Sequence, residues 1–171
     1  AKSLIETYPN SSHAKALHQR ILDKDKSEGY ALERERLLSE GKTFPNISSI
    51  DMHSNEIVLH NLTKALTILY FWESKSSDSW KLHELLKPLN RKYGKDQLDI
   101  LGISLEKDKL VWKNTVAMDE LNWIHILAKP EMKKDFNLTT LPRVFILDAK
   151  KNILYKDPHL DSIQTYVQKH L

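Results

Sequence analysis

The chain of 171 residues has no cysteine. Disulfide exchange and peroxide reduction both require a thiolate, so the residues of this chain cannot carry out either reaction. Disulfide bridges and cysteine zinc sites are excluded for the same reason. Glycine is also scarce, with four in the whole chain, and no GxGxxG or GxxxxGK[ST] phosphate loop can be written. No apolar run approaches the roughly 18 residues of a membrane span.

Neither sign of charge dominates the sequence. The 26 lysines and arginines are spread among 23 aspartates and glutamates, which leaves a net charge of +3 and no long basic run. This pattern predicts a mixed, solvated surface and no nucleic-acid interface. The length and the hydrophobic fraction of 40% predict one domain with its own core and room for an appendage.

The eight histidines do not form a recognisable metal motif. None lies in HExxH, and His53 and His60 could approach each other only across a short hairpin, so we expect no metal and no cofactor. His83 is expected on the surface of its helix. It follows Ser79 by four residues, but the chain has no GxSxG nucleophile elbow, so we do not expect a serine hydrolase.

Hydrophobic periodicity predicts an α/β domain that follows a helical segment. Residues 1–40 are predicted to be helical, with an interruption near Gly29, and Gly41 is a natural helix stop. The later predicted elements are a hairpin at 50–59, a strand at 66–71, a helix at 80–93 that Pro88 should kink, a strand at 98–105, a helix at 109–119, a strand at 123–126, a helical turn at 131–136, strands at 143–148 and 152–155 with Lys150 and Lys151 near their turn, and a helix at 160–171. This order is a βαβ unit joined to a ββα unit.

Three segments carry sequence motifs. Residues 41–47 read Gly-Lys-Thr-Phe-Pro-Asn-Ile, and residues 69–80 read Leu-Tyr-Phe-Trp-Glu-Ser-Lys-Ser-Ser-Asp-Ser-Trp. Residues 136–148 read Phe-Asn-Leu-Thr-Thr-Leu-Pro-Arg-Val-Phe-Ile-Leu-Asp. In this order and at these separations, the segments resemble the thioredoxin-like superfamily. The resemblance is closest to the exported thiol-disulfide oxidoreductases of the TlpA and ResA group and to the related redoxin (AhpC/TSA-like) domains.

The resemblance implies a thioredoxin-like fold over residues 41–171. This is a central mixed sheet flanked by helices, here with an N-terminal β-hairpin extension. Ser76 and Ser79 stand where the family has the two cysteines of its Cys-x-x-Cys site, so no catalytic residue is expected. Pro142 matches the family's cis-proline, whose loop exposes backbone to a passing peptide. Tyr70 stands where many thioredoxins have an acidic residue.

The candidate binding residues follow from the same resemblance. In the family, the residue at Trp72 lies beside the active-site motif near the surface, so Trp72 is a candidate peptide contact, although a core position is equally open. The expected peptide-binding groove lies between Trp72, the start of the helix and the Leu141–Pro142 loop. Its other residues are Ser76, Ser77, Asp78, Ser79, Leu141 and Pro142. Independently of the resemblance, the serines and the aspartate are good capping residues at a helix start.

Three hypotheses of function follow. The first is a redox-inactive thioredoxin-like domain that binds or scaffolds a protein or peptide partner. The second is a TlpA/ResA-type thiol-disulfide oxidoreductase whose active-site cysteines were replaced by serine. The third is a purely structural C-terminal module. The sequence as it stands favours a protein that is not an enzyme.

The start of the chain resembles the end of an upstream helical domain. It opens inside a helical pattern without an initiator methionine. We therefore expect a piece of a larger exported protein, with residues 1–40 as the end of one domain and residues 41–171 as the next. The family resemblance alone implies a periplasmic or cell-envelope location, with any signal upstream.

Overall fold

A computed structural model describes residues 12–171 of the chain. These residues fall into two compact units, of which the first ends at Leu37 and the second is Leu38–Leu171. The first unit contains helix α1, Ser12–Leu37, which continues through Gly29. The predicted interruption there is wrong, because one glycine costs a helix only about 1 kcal/mol. The part of the helical prediction that covers residues 1–11 lies outside the described residues.

The second unit alternates strands and helices in the predicted order. Its elements are β1 (Ser48–Ile50), β2 (Glu56–Val58), β3 (Leu66–Trp72), α2 (Ser77–Tyr93), β4 (Leu98–Ser104), α3 (Lys109–Met118), β5 (Ile124–Leu127), α4 (Met132–Asp135), β6 (Arg143–Asp148), β7 (Ile153–Lys156) and α5 (Leu160–His170). The predicted elements are therefore confirmed, with small shifts at their ends.

A mixed five-stranded sheet forms the centre of this unit, in the order β5-β4-β3-β6-β7. Strand β3 runs parallel to β4 and antiparallel to β6, and β4 runs parallel to β5. All seven residues of β3 are buried, as expected of an apolar strand covered on both faces. The predicted α/β fold with a central mixed sheet is confirmed.

Two hydrophobic clusters cover the two faces of the sheet. Alternate residues of β3 point to opposite faces. Tyr70 and Trp72 belong to the cluster that includes the apolar face of α2. Phe71 belongs to the other cluster, with Phe44 and Phe136. We call residues 76–79 the serine motif. Phe71 and Trp72, which precede this motif, therefore lie on opposite faces of the sheet.

Helix α2 carries the serine motif at its first turn. It begins at Ser77, three residues before the predicted start, because Ser76 caps it. Pro88 lies inside the helix, which continues to Tyr93. The buried face is formed by Leu82, His83, Leu86, Leu89 and Tyr93.

The N-terminal hairpin pairs β1 with β2 in antiparallel register. Asp51 forms its turn: Oδ1 accepts hydrogen bonds from the backbone N–H groups of His53 and Asn55, both at 2.8 Å. The turn is thus an Asx-type structure and is longer than the two residues that the sequence indicated. In the part of the chain that the structure describes, no helix is both long and apolar enough to cross a membrane.

Candidate functional site

Ser76 joins the start of α2 to the loop that precedes β6. Its Oγ accepts a hydrogen bond from the Ser79 N–H at 3.2 Å, which caps the helix. The same hydroxyl donates to the carbonyl oxygen of Leu141 at 3.2 Å. Asp78 lies in the first turn of the helix, where a negative charge is favoured by the helix dipole. The hydroxyl at the first cysteine position therefore has a structural role.

The Leu141–Pro142 peptide bond, on the other side of this contact, is cis. The loop before it is held by Arg143, a buried residue. The Nη1 of Arg143 donates to the backbone oxygens of Phe136 at 3.0 Å and Asn137 at 2.9 Å. The loop that faces Ser76 is thus anchored to Arg143, the first residue of β6.

Hollows lie on both sides of Leu141. One, of about 310 Å³, lies between Ser76, Leu105 and Leu138. The other, of about 530 Å³, has Asp78 on one side and Thr140, Leu141 and Pro142 on the other. We call the surface formed by these two hollows the serine groove. Leu141 and Pro142 are half-buried, and Asp78 and Thr140 are exposed, so the groove is open to a ligand. Ser77 is also exposed, but it lines neither hollow.

The expectation that Trp72 lies near the surface is wrong. Its side chain is fully buried, because it is the last residue of β3 on the face that α2 covers. Its ring packs edge-on against His83, with 4.8 Å between ring centroids, and against His125, with 5.9 Å. Trp72 therefore cannot contact a peptide in the groove. Ser79 is also buried, with 1% of its surface exposed.

His83 is likewise buried rather than exposed as predicted. The buried face of α2 includes His83 as well as the leucines, so the His83 ring packs against Trp72. Neither ring nitrogen of His83 has a hydrogen-bond partner in the described structure, and the nearest carboxylate oxygen, Oδ2 of Asp119, is 3.8 Å from Nδ1. Burial, reinforced by the charge of Lys87, lowers the pKa of His83 to about 4. The ring is therefore neutral at pH 7.

A second neutral histidine, His125, lies in the same layer. Tyr70, Gly102 and His125 are lateral neighbours on β3, β4 and β5. A Cβ atom on Gly102 would lie 2.6 Å from His125 Nδ1 and 2.8 Å from the Tyr70 hydroxyl, so glycine leaves room for both rings. Burial and the neighbouring His83 lower the pKa of His125 to about 3.

Tyr70 belongs to the same layer, at the position where the resemblance implied an acidic residue. Its hydroxyl oxygen accepts a hydrogen bond from Trp123 Nε1 at 3.1 Å. Burial raises the pKa of Tyr70 above its ordinary value, so this phenol stays protonated. Tyr70, His83 and His125 thus form a neutral, aromatic layer under α2, with no charged proton acceptor among them.

The geometry does not assemble a hydrolytic site. Ser79 Oγ is buried without a hydrogen-bond partner in the described structure, and His83 therefore does not activate it. A nucleophilic serine needs a base in hydrogen-bond contact. The described residues also contain no group of three or more histidine and acidic side chains that could hold a metal ion.

The aromatic residue exposed beside the motif is Trp80, which the sequence-based site did not include. It follows Ser79 directly, and 57% of its surface is exposed. Its backbone N–H donates to the Ser76 carbonyl at 3.2 Å. The apolar stripe of α2 starts at Leu82, and a helical-wheel count from that residue would have shown Trp80 to lie off the stripe.

The fold and the site define a thioredoxin-type domain with serine at both cysteine positions. A profile of the thioredoxin-like family matches residues 64–153, which is more than half of the chain. The chain therefore belongs to the thioredoxin-like family. A search of curated proteins found no match.

Solved structures share the same fold. The thioredoxin domain of a thiol-disulfide oxidoreductase from Bacteroides vulgatus is 19% identical, with a TM-score of 0.68 over 76% of this chain and 99% of that one. A thiol-disulfide oxidoreductase from Bacteroides fragilis is 24% identical, with a TM-score of 0.68 over 76% and 100% of the two chains. A thioredoxin-like protein from Bacteroides caccae is 17% identical, with a TM-score of 0.73 over 99% of this chain and 60% of that one. These likenesses concern the fold.

Proposed function

We propose that this domain binds an extended segment of a protein or peptide in the serine groove and performs no redox chemistry. The observation that carries the proposal is the intact contact between Ser76 and the Leu141 carbonyl at 3.2 Å, beside a groove that remains open. The family's site has kept its frame here, while the chain has no sulfur nucleophile. Binding is the property that such a frame retains.

The groove offers the features that an extended ligand needs. Leu141 and Pro142 provide apolar surface between two hollows. Exposed Thr139 and Thr140 provide polar groups along the same loop. Arg143 fixes the loop through two hydrogen bonds, so the surface is ordered before a ligand arrives and less conformational entropy is lost on binding. By resemblance, we place this binding role in the periplasm or cell envelope, within a larger exported protein.

A direct test selects random displayed peptides on the immobilised full chain and measures their affinity by fluorescence anisotropy. Leu141→Ala should weaken binding about five- to tenfold, as expected of a central apolar contact. Thr140→Trp should weaken it further by filling the hollow. The matched control is Leu110→Ala, which truncates a leucine that is 64% exposed on α3, and it should leave the affinity unchanged.

Two results would count against the proposal. One is the recovery of no peptide. The other is equal affinity for Leu141→Ala and Leu110→Ala, which would place the binding surface elsewhere or leave the domain with a structural role only. Thermal unfolding of each variant checks that a lost affinity does not arise from a lost fold.

One observation favours a second candidate, in which both serines replace the cysteines of an oxidoreductase. The Ser79 hydroxyl is buried without a hydrogen-bond partner in the described structure. A buried, unpaired hydroxyl costs about 1–3 kcal/mol, whereas cysteine is commonly buried and its S–H is a weak donor. Position 79 therefore suits sulfur better than oxygen. The natural gene decides the question: cysteine codons at 76 and 79 would establish this candidate, and serine codons would exclude it.

A further inference from the structure

A third hollow, of about 510 Å³, extends the serine groove at one end. It shares Glu73, Leu105 and Lys133 with the hollow beside Ser76. It lies where β3, β4 and β5 end, at the carboxyl edge of the parallel part of the sheet, which is the edge where α/β proteins bind ligands. Its apolar lining consists of Leu105, Leu127, Ala128 and Pro130.

Lysines surround this apolar lining. Lys107, Lys129 and Lys133 line the third hollow, and Lys75 lines the adjoining one. All four are exposed, and no hydrogen bond or ion pair engages their side chains within the described part of the chain. We call the third hollow and these four lysines the basic end of the groove.

Two carboxylates lie at the basic end, and one of them is already engaged. Glu106 accepts hydrogen bonds from the Ser74 N–H at 2.8 Å and from the Ser74 hydroxyl at 2.6 Å. Glu73 is the other. The basic end therefore has four lysines against two glutamates, and the lysine charges are not neutralised by a fixed partner.

The opposite end of the serine groove differs, because three carboxylates, those of Asp78, Asp157 and Asp161, line it together with a single lysine, Lys81. Lys81 contacts Asp78 at 2.8 Å. The Nε of Arg143 lies 3.6 Å from Asp157 Oδ2. A ligand therefore meets an excess of carboxylates at this end and uncompensated positive charge at the basic end.

We infer that the segment bound in the serine groove carries acidic side chains, next to an apolar one, where it crosses the basic end. This inference rests on the proposed function and specifies its ligand. The apolar side chain occupies the hollow among Leu105, Leu127 and Pro130, while the carboxylates face Lys107, Lys129 and Lys133. Lysine suits this task because its long side chain delivers a point charge over an apolar surface.

The test uses peptides recovered by selection on the full chain and, for each, a partner peptide with every Glu and Asp changed to Gln and Asn. The acidic peptide should bind more tightly than its neutral partner, by about tenfold at low salt, and added salt should remove the difference. The triple variant Lys107→Gln/Lys129→Gln/Lys133→Gln should lower the affinity for the acidic peptide about tenfold. Its affinity for the neutral peptide should not change.

The matched control removes the same charge elsewhere. Lys95, Lys150 and Lys169 are exposed and line none of the hollows described above. The triple variant Lys95→Gln/Lys150→Gln/Lys169→Gln should bind both peptides as the parent does. Equal losses in the two triple variants would overturn the inference, because they would show a general effect of net charge.

The outcomes also separate this inference from the proposed function. Peptides that lose affinity on Leu141→Ala but ignore the three lysines would overturn the acidic specificity and leave the groove as a binding site. If selection recovers no peptide, both the groove and its specificity are overturned. Recovered peptides without enrichment in acidic residues would likewise overturn the inference.

Discussion

Mild acid should destabilise this domain through two buried histidines. His83 and His125 have 2% and 1% of their surface exposed, and none of their four ring nitrogens has a hydrogen-bond partner in the described structure. Both rings pack against Trp72. Protonation would put a charge into an apolar layer without a counter-ion in contact, which folded proteins avoid.

The sign and the size of the effect follow from the pKa values. An unfolded histidine has a pKa of about 6.5, whereas the folded values are about 4 for His83 and about 3 for His125. Between these folded values and about pH 6.5, the unfolded chain binds more protons, so the free energy of unfolding falls as the pH falls. From about pH 7 to about pH 5, the loss is about 2 kcal/mol per histidine and about 4 kcal/mol for the pair.

Neighbouring charges modify this value only in part. Lys87 lowers the pKa of His83 and Glu84 raises it. Oδ2 of Asp119, at 3.8 Å, would offset part of the loss if it moved to the protonated ring, so about 4 kcal/mol is an upper value. Burial raises the pKa of Asp51, but its hydrogen bonds with Asn55 and with the His53 N–H together outweigh burial, so the pKa lies below its ordinary value. Its titration affects stability only below about pH 4, outside this window.

The assay is urea unfolding followed by circular dichroism at about pH 7 and about pH 5. His83→Phe and His125→Phe keep a ring but cannot titrate, so each should remove about half of the pH-dependent loss. Any packing cost of phenylalanine is common to both pH values and cancels in the difference. His53→Phe, at an exposed position, should keep the full loss. An unfolding free energy that is the same at both pH values, or equal pH dependence in all four proteins, would refute the reasoning.

Three further predictions concern the serine motif and the layer beneath it. Gly102→Ala should cost about 2–4 kcal/mol of unfolding free energy in urea, because its Cβ would lie 2.6 Å from His125 Nδ1 and 2.8 Å from the Tyr70 hydroxyl; an unchanged midpoint would contradict this packing. In the same assay, Ser76→Ala should cost about 1 kcal/mol of unfolding free energy, because it removes the cap on the Ser79 N–H. Ser79→Ala should be neutral or stabilising, because the Ser79 Oγ is buried without a partner in the described structure. A larger loss for Ser79→Ala than for Ser76→Ala would contradict the assignment of the cap. The parent chain should not reduce insulin. The variant Ser76→Cys/Ser79→Cys should form an internal disulfide in oxidising buffer, which is detected as a loss of titratable thiols. Two titratable thiols after oxidation would show that the start of α2 no longer supports this disulfide.

The fold could be predicted from the sequence because local and global signals agree. The apolar run of β3 has no polar alternation, as in a strand covered on both faces, and the leucines of α2 recur at helical spacing. Ser76 is a good N-cap residue at the start of that helix. These signals fix the strand-to-helix junction, which is also where the site lies.

The burial of individual side chains could not be predicted in the same way. Trp72 continues an unbroken apolar strand, so no alternation indicates that its face is covered by α2. His83 is polar, yet it lies inside the buried stripe of that helix. Lys151, placed in a turn by the sequence, is also buried, and its Nζ donates to Thr67 Oγ1 at 2.9 Å. Each of these positions depends on tertiary packing between elements that are distant in sequence.

The clustering of lysines at the basic end of the groove could not be predicted from the sequence either. Lys75, Lys107 and Lys129 lie in three different loops, and Lys133 lies in the short helix α4, all among acidic residues. They come together only because β3, β4 and β5 run parallel and end at one edge of the sheet. Neither the net charge nor the distribution of charge along the sequence indicates this clustering of lysines.

The most direct test of the central claim maps a bound peptide on the domain. Backbone amide chemical shifts of the full chain are followed by NMR while a selected peptide is added. A domain that binds through the serine groove should show the largest saturable changes at residues 76–79 and 139–142, with little change in α3. Saturable changes confined to α3 or to the hairpin of β1 and β2, with the serine motif and the Leu141–Pro142 loop unaffected, would contradict the account.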